Sequence, residues 1–285
     1  MSSGRFVNKV VVVTGAASGL GLASAQRLSS EGANVVAVDI NIAALEGLVK
    51  SLPNKAIAVE ANISREDDVT HYMATGISEF GRIDHYHLNA GIFGSFAALP
   101  DLTLEDFDNV MNINLRGTFL GLRAAFRQFD AQSSKGAIAV TASIASLTGS
   151  ADLIPYQTSK HGVVGLIHGA AMYGGPLGIR VNGVAPGIVP TELFATATSN
   201  FGGKNDMEKR ASTTPLRRAG SAAEIAAVVA FLLSEDSSYM AGQVVSVDGG
   251  ATIVNTVRPS GGAGAWSTQN VDQVVYRNSN GKGVR

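Results

Sequence analysis

The chain has 285 residues, 45% of them hydrophobic, with 22 Lys and Arg against 23 Asp and Glu and no cysteine. A formal charge of −1 leaves no basic footprint for nucleic acid, and the absence of cysteine excludes disulfides, thiolate nucleophiles and cysteine-ligated metals. The longest apolar run, residues 225–233, is far shorter than the ~20 residues of a membrane span, and no signal peptide is recognisable. We therefore expect a cytoplasmic protein with neither nucleic-acid nor membrane partners.

Short β-branched segments alternate with stretches of helical periodicity along most of the chain. Strands are predicted at residues 10–13, 35–38, 56–60, 83–88, 137–141, 180–185 and 244–247. Helices are predicted at residues 20–30, 42–52, 66–80, 104–129, 156–172 and 222–233. The strands are apolar on both faces, as in a parallel sheet that is covered by helices on both sides. This pattern predicts an α/β fold, with residues 1–250 forming one doubly wound domain around a seven-stranded parallel sheet.

The last segment, residues 251–285, departs from this pattern because it is rich in Gly, Ser and Asn. It also contains the only tryptophan, Trp266, and the apolar cluster 274–276, which a purely solvated tail does not need. Two interpretations stay open, a flexible end and an arm that packs on a neighbouring subunit.

A glycine-rich turn follows the first strand and begins the first helix at residues 14–21, Thr-Gly-Ala-Ala-Ser-Gly-Leu-Gly. Such a turn lets the backbone approach a pyrophosphate, which then lies at the positive helix amino terminus. The residues expected to bind it are Gly15, Ser18, Gly19, Leu20 and Gly21. Asp39 ends the second strand, where a carboxylate binds ribose hydroxyls and repels a 2′-phosphate, although it is also a possible helix cap. Because no Lys or Arg lies in the turn or directly after Asp39, NAD is favoured over NADP.

Tyr156 and Lys160 begin the fifth long helix, and their spacing of four places them on one helix face. A neighbouring ammonium lowers the pKa of a tyrosine, so the pair is a plausible general acid/base. Ser143, at the end of the fifth strand, can place a hydroxyl at the same point. Asn114 lies within a predicted helix, where an amide has little structural use.

The order and spacing of these motifs resemble those of the short-chain dehydrogenase/reductase family in its compact form, over about residues 8–250. The resemblance rests on residues 14–21, Asn89-Ala90-Gly91, Asn114, Ser143, Tyr156, Lys160, residues 180–182, Pro186-Gly187 and residues 248–250. It implies a Rossmann-type fold, NAD as cofactor, a secondary alcohol or ketone as substrate, and a homotetramer.

The family's chemistry assigns roles to four side chains. Tyr156 would exchange a proton with the substrate oxygen while hydride moves to or from the nicotinamide, and Ser143 would hydrogen-bond that oxygen. Lys160 would lower the pKa of Tyr156 and bind the nicotinamide ribose, and Asn114 would hold a water that links Lys160 to solvent.

The resemblance also implies a set of cofactor contacts. Asn89, Ala90 and Gly91 would lie beside the adenosine ribose, and Asn62 and Ile63 beside the adenine. The family usually has aspartate in place of Asn62, and we expect the amide oxygen to accept a hydrogen bond from the adenine amino group. The nicotinamide carboxamide would be held by Pro186, Gly187, Ile188, Val189 and Thr191.

The expected substrate-lining residues are mostly apolar and include no arginine clamp, which predicts a neutral, hydrophobic alcohol or ketone. They are Ser143, Ile144, Phe93, Leu153, Leu193 and Phe194. An NADPH-linked 3-oxoacyl reductase is the alternative enzyme, and a non-catalytic NAD-binding protein is the alternative class. His85 and His87 share one strand face, but no carboxylate pattern accompanies them, so no metal site is expected.

Overall fold

The computed structural model describes residues 4–150, 153–192 and 211–254. In these ranges the strands are β1 (Val10–Thr14), β2 (Asn34–Asp39), β3 (Ala56–Glu60), β4 (His85–Leu88), β5 (Gly136–Thr141), β6 (Ile179–Pro186) and β7 (Val244–Val247). The α-helices are α1 (Gly19–Ser30), α2 (Ile42–Ser51), α3 (Glu66–Phe80), α4 (Leu104–Val110), α5 (Gly117–Ala131), α6 (Ile154–Gly174) and α7 (Ala222–Leu233). The predicted order of elements is confirmed.

The seven strands form one sheet in the order β3-β2-β1-β4-β5-β6-β7, and every neighbouring pair is parallel. The strand order reverses between β1 and β4, so the loops after these two strands diverge and leave a crevice at the carboxyl ends of the strands. The fold therefore places a ligand site at this edge of the sheet.

Helices cover both faces of the sheet, as the apolar strands predict. The side chains of Val10 and Val12 belong to one buried cluster, whereas Val11 and Val13 belong to the other. Because successive strand residues point to opposite faces, the four valines of β1 contribute alternately to the two cores.

Helix α4 and helix α5 are joined by a π-helical segment, Met111–Arg116, where an uninterrupted helix was expected. A π-helical turn carries one extra residue per hydrogen-bonded ring and is frequent at functional sites. This segment contains the buried Asn114, whose contacts are described below.

The described chain ends with a short 3-10 turn, Ala251–Ile253. Residues 255–285 lie outside the described ranges, so both interpretations of the tail remain predictions. No helix within the described parts of the chain has the length and apolar character needed to cross a membrane.

Candidate active site

A cavity of about 590 Å³ lies at the carboxyl ends of β1 to β6. Its size is in the range of small-molecule and cofactor sites. One set of lining residues was expected to bind the cofactor, namely Gly15, Ser18, Gly19, Leu20, Asp39, Asn62, Ile63, Asn89, Ala90, Gly91, Tyr156, Lys160, Pro186, Gly187, Ile188, Val189 and Thr191. The sequence motifs and the crevice of the fold therefore coincide.

Gly21 is the one predicted cofactor residue that does not line this cavity, and its role is structural. A Cβ added at Gly21 would lie 1.9 Å from the carbonyl oxygen of Gly15. Gly15 itself has a φ of +67°, a left-handed conformation that glycine adopts without steric cost. Gly21 therefore lets the first turn of α1 pack directly against the glycine-rich turn.

Asp39 connects the end of β2 to the glycine-rich turn. Its carboxylate accepts hydrogen bonds from the backbone N–H of Ala17, at 3.1 Å, and of Asn41, also at 3.1 Å. The cap of α2 is Asn41, whose side-chain oxygen accepts from the N–H of Ala44 at 3.1 Å. Asp39 is therefore not the helix cap, and it holds a negative charge at the rim of the cavity.

Asn62 lines the cavity, but its amide oxygen already accepts hydrogen bonds from a neighbouring residue. That oxygen accepts two hydrogen bonds from Ser64, one from the backbone N–H at 3.0 Å and one from the hydroxyl at 2.8 Å. The expectation that this oxygen receives the adenine amino group is therefore corrected, because both of its lone pairs are used within the loop.

The floor of the cavity is a hydrogen-bonded connection between three strands. The Nδ2 group of Asn89 donates to the carbonyl of Thr14 at 3.1 Å, and the hydroxyl of Thr14 accepts from the N–H of Asn89 at 2.9 Å. The Thr141 hydroxyl donates to Oδ1 of Asn89 at 3.0 Å. Asn89 thereby ties β1, β4 and β5 together, while sequence reasoning had placed it only beside the ribose.

His87 continues this connection below the floor. Its Nε2 lies 2.9 Å from the Thr141 hydroxyl, which has already given its proton to Asn89. His87 must therefore donate, so its proton is on Nε2 and its buried Nδ1 has no partner among the described residues. Burial lowers the pKa of His87 to about 3 and that of His85 to about 4, so both side chains are neutral at physiological pH.

Tyr156 and Ser143 meet at the inner end of the cavity. The Ser143 hydroxyl oxygen accepts from the N–H of Ala145 at 3.1 Å and also hydrogen-bonds the phenol of Tyr156. Burial raises the pKa of Tyr156 above its usual value, and the hydrogen bond from Ser143 opposes this effect. The phenol therefore keeps its proton at neutral pH in this state of the protein.

Lys160 lies on the same face of α6 as Tyr156, as the spacing predicted, but its ammonium is directed elsewhere. Its Nζ donates to the backbone carbonyl of Thr141 at 2.8 Å and lies 5.7 Å from the centre of the Tyr156 ring. Burial lowers the pKa of Lys160 to about 8. Burial is the largest influence on the pKa of Tyr156, and the lowering of that pKa by Lys160 stays a prediction.

Asn114 has a structural use that the sequence did not reveal. Its side chain exchanges two hydrogen bonds with the backbone of Ile92, both at 2.8 Å, and donates to the hydroxyl of Ser159 at 3.0 Å. It thereby joins the π-helical segment to the loop after β4 and to α6. The family's water-holding role for Asn114 stays a prediction.

The outer part of the cavity is apolar and aromatic. The ring of Phe93 lies 4.5 Å from that of Tyr156 and 6.1 Å from that of Phe96, centre to centre. The expected substrate residues Ser143, Ile144, Phe93 and Leu153 all line this cavity. Leu193 and Phe194 lie outside the described residues.

Sequence reasoning missed two residues of the site. Thr141 binds Asn89 through its hydroxyl and Lys160 through its carbonyl. Its position at the end of β5 could have indicated that it belongs to the site. Gln157 accepts from the N–H of Ser150 and donates to the carbonyl of Thr148, each at 2.9 Å. Its position next to Tyr156 gave no indication that it positions this loop.

The described residues include no group of three or more His, Asp or Glu side chains arranged to hold a metal ion. The features that are present suit a dinucleotide. A Cβ at Gly15 or Gly21 would clash with neighbouring protein atoms, so these glycines permit the tight turn that brings the amino end of α1 to the cavity. Asp39 lies one strand away, at the place where a carboxylate binds an adenosine ribose.

Comparison with known proteins agrees with this geometry. A family described as enoyl-(acyl carrier protein) reductase matches residues 15–252. Levodione reductase of Leifsonia aquatica is 39% identical over 254 residues, which are 86% of this chain and 95% of the relative. Cyclohexanol dehydrogenase of Acinetobacter sp. (strain SE19) is 36% identical over 88% of this chain and 97% of the relative.

Among solved structures, NAD+-bound xylitol dehydrogenase superposes with a TM-score of 0.81 at 35% identity, covering 86% of this chain and 99% of that one. The chain belongs to the short-chain dehydrogenase/reductase family. The fold expected from the resemblance is thereby confirmed.

Proposed function

We propose that this short-chain dehydrogenase/reductase interconverts a neutral, cyclic secondary alcohol and the corresponding ketone, with NAD as the cofactor. The observation that carries the proposal is the placement of Tyr156, Ser143 and Lys160 at the inner end of one cavity whose other end is the glycine-rich turn. The reaction class, oxidation of a secondary alcohol or reduction of a ketone, is confirmed by the relatives.

Tyr156 and Ser143 act on the oxygen of the substrate. Because the phenol of Tyr156 is protonated at neutral pH, it can donate a proton to the ketone oxygen during reduction and accept it back during oxidation. The Ser143 oxygen already accepts a hydrogen bond from Ala145, so its hydroxyl proton can turn from the Tyr156 phenol to the substrate oxygen and stabilise charge there. A bound nicotinamide ring supplies or accepts the hydride.

Lys160 is the group that would hold the nicotinamide ribose. In the described structure it rests on the carbonyl of Thr141, next to Gly91, where an added Cβ would lie 3.7 Å from its Nζ. A buried ammonium with one hydrogen bond has two unused donors, which ribose hydroxyls can accept. Bringing such acceptors to Lys160 would favour its charged form and thereby lower the pKa of Tyr156.

The preference for NAD rests on Asp39. Its carboxylate is fixed by two backbone N–H groups at the cavity rim, where a 2′-phosphate would meet a negative charge. The xylitol dehydrogenase with a similar fold has NAD+ bound, which supports this choice.

The cyclic substrate class rests on the aromatic outer part of the cavity. Phe93 and Phe96 form an apolar, aromatic wall beside Tyr156, which suits a ring without charge. The names of two relatives, levodione reductase and cyclohexanol dehydrogenase, refer to cyclic substrates and support the same class.

A panel of substrates assayed with both cofactors tests this proposal. Cyclohexanones, the matching cyclohexanols, linear 3-oxoacyl thioesters and 2-oxo acids are compared with NAD(H) and with NADP(H). We expect the largest kcat/KM for cyclic ketones or alcohols with NAD(H). A preference for 3-oxoacyl thioesters with NADPH would favour the reductase alternative, and turnover of charged acids alone would contradict the neutral pocket.

Assembly and location belong to the proposal as well. We propose a cytoplasmic homotetramer, and the outer side of α5 and α6 is the candidate interface because Phe119, Met172 and Tyr173 are exposed there. Light scattering during size-exclusion chromatography measures the number of subunits, and a monomeric mass would contradict the assembly.

A further inference from the structure

The order of the strands predicts how the parts of a dinucleotide would be arranged along the cavity. The glycine-rich turn follows β1, Asp39 ends β2, and Asn62 follows the neighbouring β3. A pyrophosphate bound at the turn and an adenosine ribose at the end of β2 would bring the purine base to the next strand end, near Asn62. This step rests on the dinucleotide binding of the proposed function.

The amide of Asn62 can be oriented from its neighbours. The Ser64 backbone N–H lies 3.0 Å from Oδ1 and can only donate, so the atom that faces it must be the oxygen. The Ser64 hydroxyl, at 2.8 Å, uses the second lone pair of the same oxygen. The backbone N–H of Asn62 is occupied as well, because it donates to Asp68 at 2.9 Å.

The polar group that Asn62 retains for a ligand is therefore its Nδ2, which is a hydrogen-bond donor. An aspartate with the same local geometry would keep one oxygen on Ser64 and offer its second oxygen, an acceptor, at this position. Adenine has an amino group at C6, which donates, whereas a 6-oxopurine has a carbonyl there, which accepts. The donor of Asn62 matches the carbonyl and opposes the amino group.

We propose that Asn62 is a specificity-determining residue for the base of the cofactor, and that its amide donor weakens the preference for adenine over a 6-oxopurine. The prediction concerns the C6 position alone. Hypoxanthine also differs from adenine in carrying a proton on N1, and any contact with N1 is the same in a variant altered only at Asn62. The relative affinity for the two dinucleotides is therefore compared between the unmodified protein and an Asn62 variant, and the change in this relative affinity reports the C6 contact alone.

Calorimetric titration without any alcohol or ketone tests the proposal directly. The dissociation constants of NAD and of nicotinamide hypoxanthine dinucleotide are measured for the unmodified protein, Asn62→Ala and Asn62→Asp. The ratio of interest is the dissociation constant of the hypoxanthine dinucleotide divided by that of NAD. We expect this ratio to be lowest in the unmodified protein, higher in Asn62→Ala and highest in Asn62→Asp. The rise from the unmodified protein to Asn62→Asp should be about three- to tenfold, as for one hydrogen bond.

The matched control is Asn41→Asp, which adds the same charge at an exposed residue that follows the end of β2 and does not line the cavity. The oxygen of Asn41 caps α2 at the N–H of Ala44, so the ratio should remain within about twofold of the unmodified protein. Melting temperatures show whether each variant is folded, and Asn62→Ala provides the test if Asn62→Asp is not.

Two negative results have different meanings. If both dinucleotides bind and the ratio is the same in all Asn62 variants, the base-reading role of Asn62 is wrong while the proposed function stands. If neither dinucleotide binds to the unmodified protein, the cofactor assignment is overturned, and the role of Asn62 with it.

Discussion

The floor and the outer wall of the cavity are built in different ways. The floor consists of strand ends, and Thr14, Asn89 and Thr141 join three of them by hydrogen bonds between 2.9 and 3.1 Å. The outer wall consists of loops, where Phe93 and Phe96 meet the ring of Tyr156 through aromatic contacts.

This difference separates the two tasks of the site. Directional hydrogen bonds between adjacent strands fix positions tightly, which suits a cofactor and a proton-transfer group. Apolar contacts from loops fix shape and volume, and loops change more easily than the strands that carry them. We therefore expect floor variants to change dinucleotide binding or chemistry, and wall variants to change the use of the alcohol or ketone.

The largest expected effect is that of Tyr156→Phe, because it removes the proton donor where floor and wall meet. Loss of a general acid/base lowers kcat by about 10²- to 10⁴-fold. The dissociation constant for NAD should stay within about twofold, since the aromatic ring is retained. Steady-state kinetics and calorimetric titration measure the two values, and near-full turnover of the variant would contradict the assigned chemistry.

A second prediction concerns the stability of the floor at low pH, where protonation of the buried His87 should favour unfolding. The pKa of His87 is about 3 in the folded protein and about 6.5 when unfolded, so the unfolded state binds one more proton between these values. His87 therefore leaves the free energy of unfolding unchanged above pH 6.5. As the pH falls from 6.5 toward 3, it lowers that free energy by up to about 1.4 kcal/mol per pH unit.

The variant His87→Leu should therefore lose less stability between pH 6.5 and pH 4 than the unmodified protein loses. Urea unfolding at several pH values measures this difference. His85→Leu should also lose less stability over this range, because His85 is buried as well and its pKa is lowered to about 4. If the free energy of unfolding falls equally steeply with pH in His87→Leu and in the unmodified protein, the prediction is contradicted.

Thr141→Val should weaken NAD binding by about tenfold, because it removes the hydroxyl that orients Asn89 and nearly preserves the volume. Thr141→Ser retains the hydroxyl and serves as the control, with affinity restored to within about threefold. Titration with NAD in the absence of substrate gives both values. Equal losses in the two variants would show that the methyl group, rather than the hydroxyl, matters.

The smallest expected effect is on the wall. Phe93→Ala should raise the KM for a cyclic ketone by about two- to tenfold, the worth of one aromatic contact. The dissociation constant for NAD should not change, since Phe93 lies outside the floor. A variant that lost NAD affinity and kept its KM for the ketone would reverse the proposed division of the cavity.

The helices, strands and cofactor motifs could be predicted because each depends on residues close in the chain. The apolar strands and the glycine-rich turn at residues 14–21 led to the correct sheet and to the cavity edge. The shared face of Tyr156 and Lys160 followed from helical spacing alone.

The hydrogen-bond partners could not be predicted in the same way. Thr141 meets Asn89 only because β4 and β5 are neighbours in register, a relation between distant residues. The π-helical segment was missed because Asn114 bonds the backbone of Ile92, which no periodicity shows. Asn62 lines the cavity as expected, but which end of its amide is free depended on Ser64.

The sequence by itself determined the fold class, through local periodicity, and the reaction type, through the short motifs that it shares with its family. Only the tertiary structure decided which atom of each polar side chain is free and which group is charged. Burial raises the pKa of Tyr156 and lowers that of Lys160, and burial is a property of the folded chain. The lysine rests on the carbonyl of Thr141 for the same reason, since a buried ammonium needs the nearest acceptor that the fold supplies.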